Sequence, residues 1–103
     1  MKLLTIDTIP GKKIEALGLV RGTTVQSKNL GKDFMAGMKT LVGGELTGYT
    51  EMLIEARQIA TKRMVYEAKE MNADAVIGVK YGSSQVMSGA AEVIAYGTAV
   101  KYK

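Results

Sequence analysis

Residues 91–102 read AEVIAYGTAVKY, and their alternation decides the fold. Ala91, Val93, Ala95, Gly97 and Ala99 present one small face, while Glu92, Ile94, Tyr96, Thr98, Val100 and Tyr102 present a bulky, mixed one. Period-two alternation of this kind is a strand, and its small face lets a helix lie close to the sheet. The bulky face needs cover too, because Ile94, Tyr96 and Val100 together make a large apolar patch.

The helix that answers this face runs from about Thr47 to Asn72. At 3.6 residues per turn, Tyr49, Met52, Leu53, Ala56, Ile59, Ala60, Met64 and Met71 form one broad apolar stripe, with Glu51, Glu55, Gln58, Lys62 and Lys69 gathered opposite. Arg63 and Glu67 fall inside the apolar sector, four residues apart, where the two charges can pair. Ile54 and Val65 fall near the polar side, flanking Thr61. They mark either a second interface or two stray apolar residues on a surface, which are common.

Outward from these two elements the chain is β-β-α-α-β-β. Lys2–Ile6 reads as a short strand, Asp7-Thr8-Ile9-Pro10-Gly11 as a turn, and Lys13–Lys28 as a long strand. Counting by two puts Leu17, Leu19 and Val25 on one face and Ile14, Ala16, Gly18, Val20, Gly22 and Thr24 on the other. Gly18 and Gly22 weaken a strand and so point to a bulge or to close approach of another backbone. Leu30, Phe34, Met38, Leu41 and Val42 recur at helical spacing, giving a shorter helix from about Asn29 or Leu30 to Val42 that stops at Gly43-Gly44. Ala75–Tyr81 is a short strand, followed by polar loop chemistry at Gly82-Ser83-Ser84-Gln85 and Ser88-Gly89 around Val86-Met87. The expected architecture is a single α+β domain over residues 1–103, an antiparallel sheet packed on one long helix with a second shorter one. Its two uncovered apolar surfaces, on the sheet and on the helix, predict a homo-oligomer.

Composition narrows the chemistry. With no Cys and no His, thiolate and imidazole metal sites, Cys nucleophiles and His-dependent triads are excluded. Fourteen Lys and Arg against ten Asp and Glu give a net charge of +4. The basic residues are scattered, in runs no longer than Lys12-Lys13 or Lys62-Arg63, so neither nucleic acid nor a membrane is an expected partner. No segment approaches the roughly 18 apolar residues of a membrane span, which makes a cytoplasmic location the expectation.

Within those bounds the candidate groups are few. Glu51 and Glu55 share a helix face and could hold a hard cation, though a solvated charged face explains them as well. Met35 and Met38 offer soft thioethers, but Met at helical spacing is core packing in most proteins. Glu67 is the best placed carboxylate for acid–base work, and Arg63 beside it argues for an ionised structural pair instead. Arg57, at the edge of the stripe, suits an anionic ligand or the carboxylate of a neighbouring subunit. The Gly43-Gly44-Glu45 turn before the long helix either presents backbone amides to an anion or is a plain inter-helix turn. Ser83-Ser84 has no base beside it, so no Ser nucleophile is indicated.

The order of segments is itself distinctive: Leu17-Gly18-Leu19-Val20-Arg21-Gly22, then Gly43-Gly44-Glu45, Tyr49 and Arg57, then Asn72-Ala73-Asp74-Ala75-Val76-Ile77-Gly78-Val79, and finally Tyr96-Gly97-Thr98-Ala99-Val100. Over nearly the whole chain it resembles the YbjQ family, small bacterial proteins of uncharacterised function often labelled heavy-metal-binding. The resemblance implies a dodecin-like α+β subunit assembled into a ring, a pentamer, and it brings no reaction. Asn72 stands where such proteins commonly have Gly, and Asn also tolerates a left-handed backbone. The metal label conflicts with the absence of Cys and His, since soft metals favour thiolate and imidazole; a metal site here would need Glu residues converging around a symmetry axis. Glu45, Tyr49 and Arg57 carry the polar groups of the family-like motif and are the candidate ligand-binding residues, each with a structural alternative as a turn, a tied hydroxyl or an inter-subunit ion pair. The main reading is a non-enzymatic ring binding a metal ion or small ligand at subunit interfaces. The alternatives are an inter-subunit enzyme site using Arg57 and a carboxylate such as Glu67, or a scaffold ring with no small-molecule site.

Overall fold

The computed structural model describes residues 1–27 and 47–103. In chain order these form β1 (Lys2–Leu3), β2 (Ile14–Ser27), α1 (Thr47–Glu70), β3 (Ala75–Met87) and β4 (Ala90–Tyr102). The shorter helix expected before Val42, with Met35 and Met38 on it, lies outside the described residues.

The fold is α+β, with a four-stranded sheet ordered β1-β3-β4-β2. β4 is central and antiparallel to both neighbours. The expectation of an all-antiparallel sheet is corrected at one edge, because β1 runs parallel to β3. Topology is the cause. The segment after β1 crosses the outer face of the sheet to start β2 at the far edge, and α1 crosses back over the inner face to start β3. Pairing along the first segment outlasts β1, since the Leu4 N–H donates to the Val76 carbonyl and the Leu4 and Ile6 carbonyls accept from Val79 and Gly78 N–H, all at 2.9 Å.

The alternation of β4 is realised as expected. Val93, Ala95 and Ala99 are buried beneath α1 together with Val20, Val76 and Val79. The helix contributes Met52, Ala56, Ala60, Met64 and Ala68 to its buried side, a strict i, i+4 series that follows the expected stripe and extends it by Ala68. Small residues stand on both sides of this interface, so the backbones come close. A β-carbon added to Gly22 would overlap the Ala60 carbonyl and the Met64 backbone nitrogen and lie 2.8 Å from Arg63 Cβ.

Among the described residues, the other face of β4 is covered at one end. The turn at Pro10-Gly11, closed by the Lys12 N–H donating to the Ile9 carbonyl at 3.0 Å with Gly11 at φ 78°, presents a buried Ile9 to this outer face. Ile9 packs with Ala75, Ile77 and Val100, and Leu4, Ile14 and Tyr102 adjoin them. Toward the other end, Leu19, Val25 and Tyr96 remain exposed.

Two β-bulges reverse face assignments that simple alternation gives. In β2 the register with β4 shifts between Ala16 and Gly18, where Gly18 has φ 147°. The extra residue carries Leu17 to the helix side with Val20 and leaves Ile14 on the outer side. A one-residue insertion always exchanges the faces beyond it, and counting by two across Gly18 therefore grouped Leu17 with the wrong neighbours. A second bulge between Ile77 and Lys80 sends Ile77 outward and Val79 toward the helix.

A further correction concerns Gly82-Ser83-Ser84-Gln85. These residues are strand, not loop: β3 continues to Met87, paired with β4 up to Met87 opposite Ala90, and only Ser88-Gly89 turns the hairpin. Their polarity reflects an exposed strand rather than a turn, since Ser83 through Met87 are all exposed.

The helix ends in a Schellman motif. The Ala73 N–H donates to the Ala68 carbonyl at 3.1 Å and the Asn72 N–H to the Lys69 carbonyl at 3.0 Å, with Asn72 left-handed at φ 58°. The turn expected to be kept by Asn in place of Gly is therefore present. Asp74 then locks the chain onto β4, its backbone N–H donating to the Val100 carbonyl at 2.8 Å and its Oδ2 accepting from the Tyr102 N–H at 2.7 Å.

Candidate functional site

The sequence on the back of α1 has its own periodicity. Ile54, Arg57, Gln58, Thr61 and Lys62 stand at i, i+3, i+4, i+7 and i+8, one strip of a helix surface. Because α1 lies mainly over β2 and β4 and touches β3 little, the strip does not close onto the sheet. It forms one wall of an open groove of about 500 Å³, and Tyr81 of β3 forms the other.

Thr61 ties the walls together. Its Oγ1 donates to the Arg57 carbonyl at 2.7 Å and lies 2.8 Å from the Tyr81 hydroxyl, twenty residues away in sequence. The first bond uses the hydroxyl proton inside the helix, so Tyr81 donates in the second. Ile54 and the Tyr81 ring supply apolar surface, exposed to 41% and 46%, and Arg57 and Lys62 supply two positive charges. No carboxylate is among the described residues that line the groove.

Of the three candidate ligand-binding residues, the structure places Arg57 in this groove. Tyr49 is half-buried near the start of α1 and is not part of the groove lining. It lies eight positions before Arg57, about 12 Å along the helix axis. Glu45 lies outside the described residues, as does the Gly43-Gly44 turn. Tyr81 was not singled out from the sequence. Its partner on α1 is brought to it only by the fold, and the one sequence signal near it is Ile54, an apolar residue on the otherwise polar back of the helix.

Arg63 and Glu67 are engaged with β2. Arg63 donates from Nη1 to the Thr23 carbonyl at 2.6 Å, and Glu67 Oε1 accepts from the Arg21 N–H at 3.2 Å. Both clamp α1 to β2, away from the Tyr81 side. Glu51 and Glu55 are exposed. Among the described residues no group of three or more Asp or Glu is placed to hold a metal ion, and no helix is long and apolar enough to cross a membrane.

Fold and groove together define a small α+β domain with a basic, part-apolar cleft between a helix and a strand. Comparison with known proteins places it further. A family model described as "Putative heavy-metal-binding" matches residues 1–103. A UPF0145 protein of Clostridium novyi (strain NT) is 63% identical over 101 residues, covering 98% of each chain, and one of Alkaliphilus metalliredigens (strain QYMF) is 59% identical over 102 residues, covering 99% of each. The chain belongs to the YbjQ family, also designated UPF0145. A crystal structure of a protein with unknown function of the DUF74 family, from Pediococcus pentosaceus, superposes with a TM-score of 0.67 over 100% of this chain and 98% of its own at 18% identity, a likeness of fold.

Proposed function

We propose that this protein is a cytoplasmic, non-enzymatic homo-oligomer that binds a small ligand in the Arg57 groove, at or near subunit contacts. The observation that carries the reading is the groove itself: a cleft of about 500 Å³ lined by apolar, hydrogen-bonding and charged side chains, within the roughly 300–1,000 Å³ usual for small-molecule sites.

Assembly into a ring, a pentamer by resemblance, is supported by the distribution of apolar surface. Ring closure is head-to-tail and needs two different patches on each subunit. One is the outer sheet face at Leu19, Val25 and Tyr96, and the other is the hairpin end of β3 at Val86 and Met87, which are not part of the Arg57 groove lining.

The residues present do not fit a resident heavy metal within one subunit. The chain has no Cys or His, the described residues hold no cluster of three carboxylates, and the charged groups of the described groove lining are the two cations Arg57 and Lys62. The inter-subunit enzyme reading is second choice, because Glu67 and Arg57 of one chain stand apart and Glu67 is already engaged. Glu67 lies ten positions beyond Arg57, about 15 Å along the axis, and is engaged with β2.

Native mass spectrometry of the untagged protein, purified without chelator, tests this. A discrete oligomer carrying a constant organic mass is the expected result. A monomer at micromolar concentration removes the ring, and an oligomer with a constant metal adduct transfers the reading to the carboxylate site.

A further inference from the structure

The groove selects its ligand by charge and shape. We infer that it takes a small organic anion, a carboxylate or phosphate attached to a flat apolar body. This rests on reading the groove as a ligand site and adds the chemical class.

Arg57 and Lys62 line the same cleft, and two positive side chains in one cleft favour a negative group over a positive one. The Arg57 guanidinium is a planar fork that grips carboxylate or phosphate through two parallel hydrogen bonds, and the Lys62 ammonium adds a point charge. The remaining lining is suited to the other end of such a molecule. The Tyr81 ring is exposed to 46% and offers a face for stacking. Its orientation is held by the hydroxyl contact of 2.8 Å to Thr61, and Thr61 is in turn tied to the Arg57 carbonyl. Ile54 closes the apolar end. The Gln58 amide, with both donor and acceptor atoms, lies between Ile54 and Lys62 on the same strip. A metal cation would meet two like charges here, and a neutral apolar molecule would leave both unmatched.

Isothermal titration of the full-length protein with four probes tests the inference: 1-naphthoate, 1-naphthyl phosphate, 1-naphthalenemethanol and 1-naphthylmethylamine. One or both anions are expected to bind at least tenfold more tightly than the alcohol, with the amine weakest, and the preferred anion separates carboxylate from phosphate chemistry. Arg57→Gln and Lys62→Gln are each expected to weaken the anion about tenfold, while Arg57→Lys restores part of the loss. Both side chains are exposed, and unchanged circular dichroism and oligomer mass confirm that the variants fold. Equal affinity for anion and alcohol overturns the inference, as does an anion affinity unmoved in the Arg57→Gln/Lys62→Gln double variant. Failure of all four probes to bind at millimolar concentration also overturns it. The binding reading is judged separately, by whether the native oligomer carries an organic mass of another class.

Discussion

Gly22 of β2 and Ala60 of α1 meet so closely that the space for a β-carbon on Gly22 is already occupied by the Ala60 carbonyl. Neither backbone can yield alone, because Met64 N and Arg63 Cβ press on the same point. Gly22→Ala is therefore expected to lower stability by about 3 kcal/mol, as overpacking of a tight interface does. Gly82→Ala is the control. Its β-carbon would meet only Ile94 Cγ2, at 3.4 Å, and a change within about 0.5 kcal/mol is expected. Urea denaturation midpoints of the two variants make the comparison.

Met64 is among the largest fully buried side chains, in a core otherwise rich in alanine. Met64→Ala leaves a cavity that small neighbours cannot fill, and is expected to cost about 3 kcal/mol. Met71→Ala, at a side chain 38% exposed, is expected to cost under about 1 kcal/mol. Thermal unfolding of both variants at one protein concentration checks the ranking.

Asn72 holds the left-handed position of the Schellman turn. Asn72→Gly is expected to preserve or raise stability, by up to about 1 kcal/mol, because glycine takes that conformation without strain. Asn72→Val places a β-branched side chain there and is expected to lose about 1–2 kcal/mol. Opposite shifts of the thermal midpoint are the readout.

The pairing of Asp74 Oδ2 with the Tyr102 N–H, at 2.7 Å in a partly buried setting, fastens the end of β4 to the start of β3. Asp74→Ala leaves that donor without its carboxylate and is expected to cost about 1–3 kcal/mol. Asp74→Asn keeps an acceptor oxygen and is expected to lose less. Amide hydrogen exchange at Tyr102 should quicken most in Asp74→Ala.

The parts of this fold that were legible in the sequence are those governed by neighbours along the chain. Alternation in residues 91–102 correctly separated Ala95 and Ala99 from Tyr96, and the glycines of β2 marked both a bulge, at Gly18, and a close approach, at Gly22. Parity counting fails where a bulge intervenes: it puts Leu17 on the wrong face and gives no sign of the bulge after Ile77. Ser83 and Ser84 have turn chemistry but are held in a strand by pairing with Val93 and Glu92, a partner that local composition does not contain. The parallel pairing of β1 depends on the path of the whole chain. In the candidate groove, Arg57 is legible from its place at the edge of the helix stripe. Tyr81 is not, because only the fold brings it against Thr61.

The alanine-rich contact between α1 and β4 has a consequence for mass action. Ala56, Ala60 and Ala68 facing Ala95 and Ala99 permit close approach, but each buries little apolar area, and stabilisation follows area at about 25 cal/mol per Å². A domain built this way draws less from its own interior than a leucine-rich domain of equal length, and leaves larger side chains such as Leu19, Val25 and Tyr96 uncovered. Any assembly that covers them adds the missing term, and its size depends on protein concentration. The unfolding temperature of this protein should accordingly climb as the solution is made more concentrated.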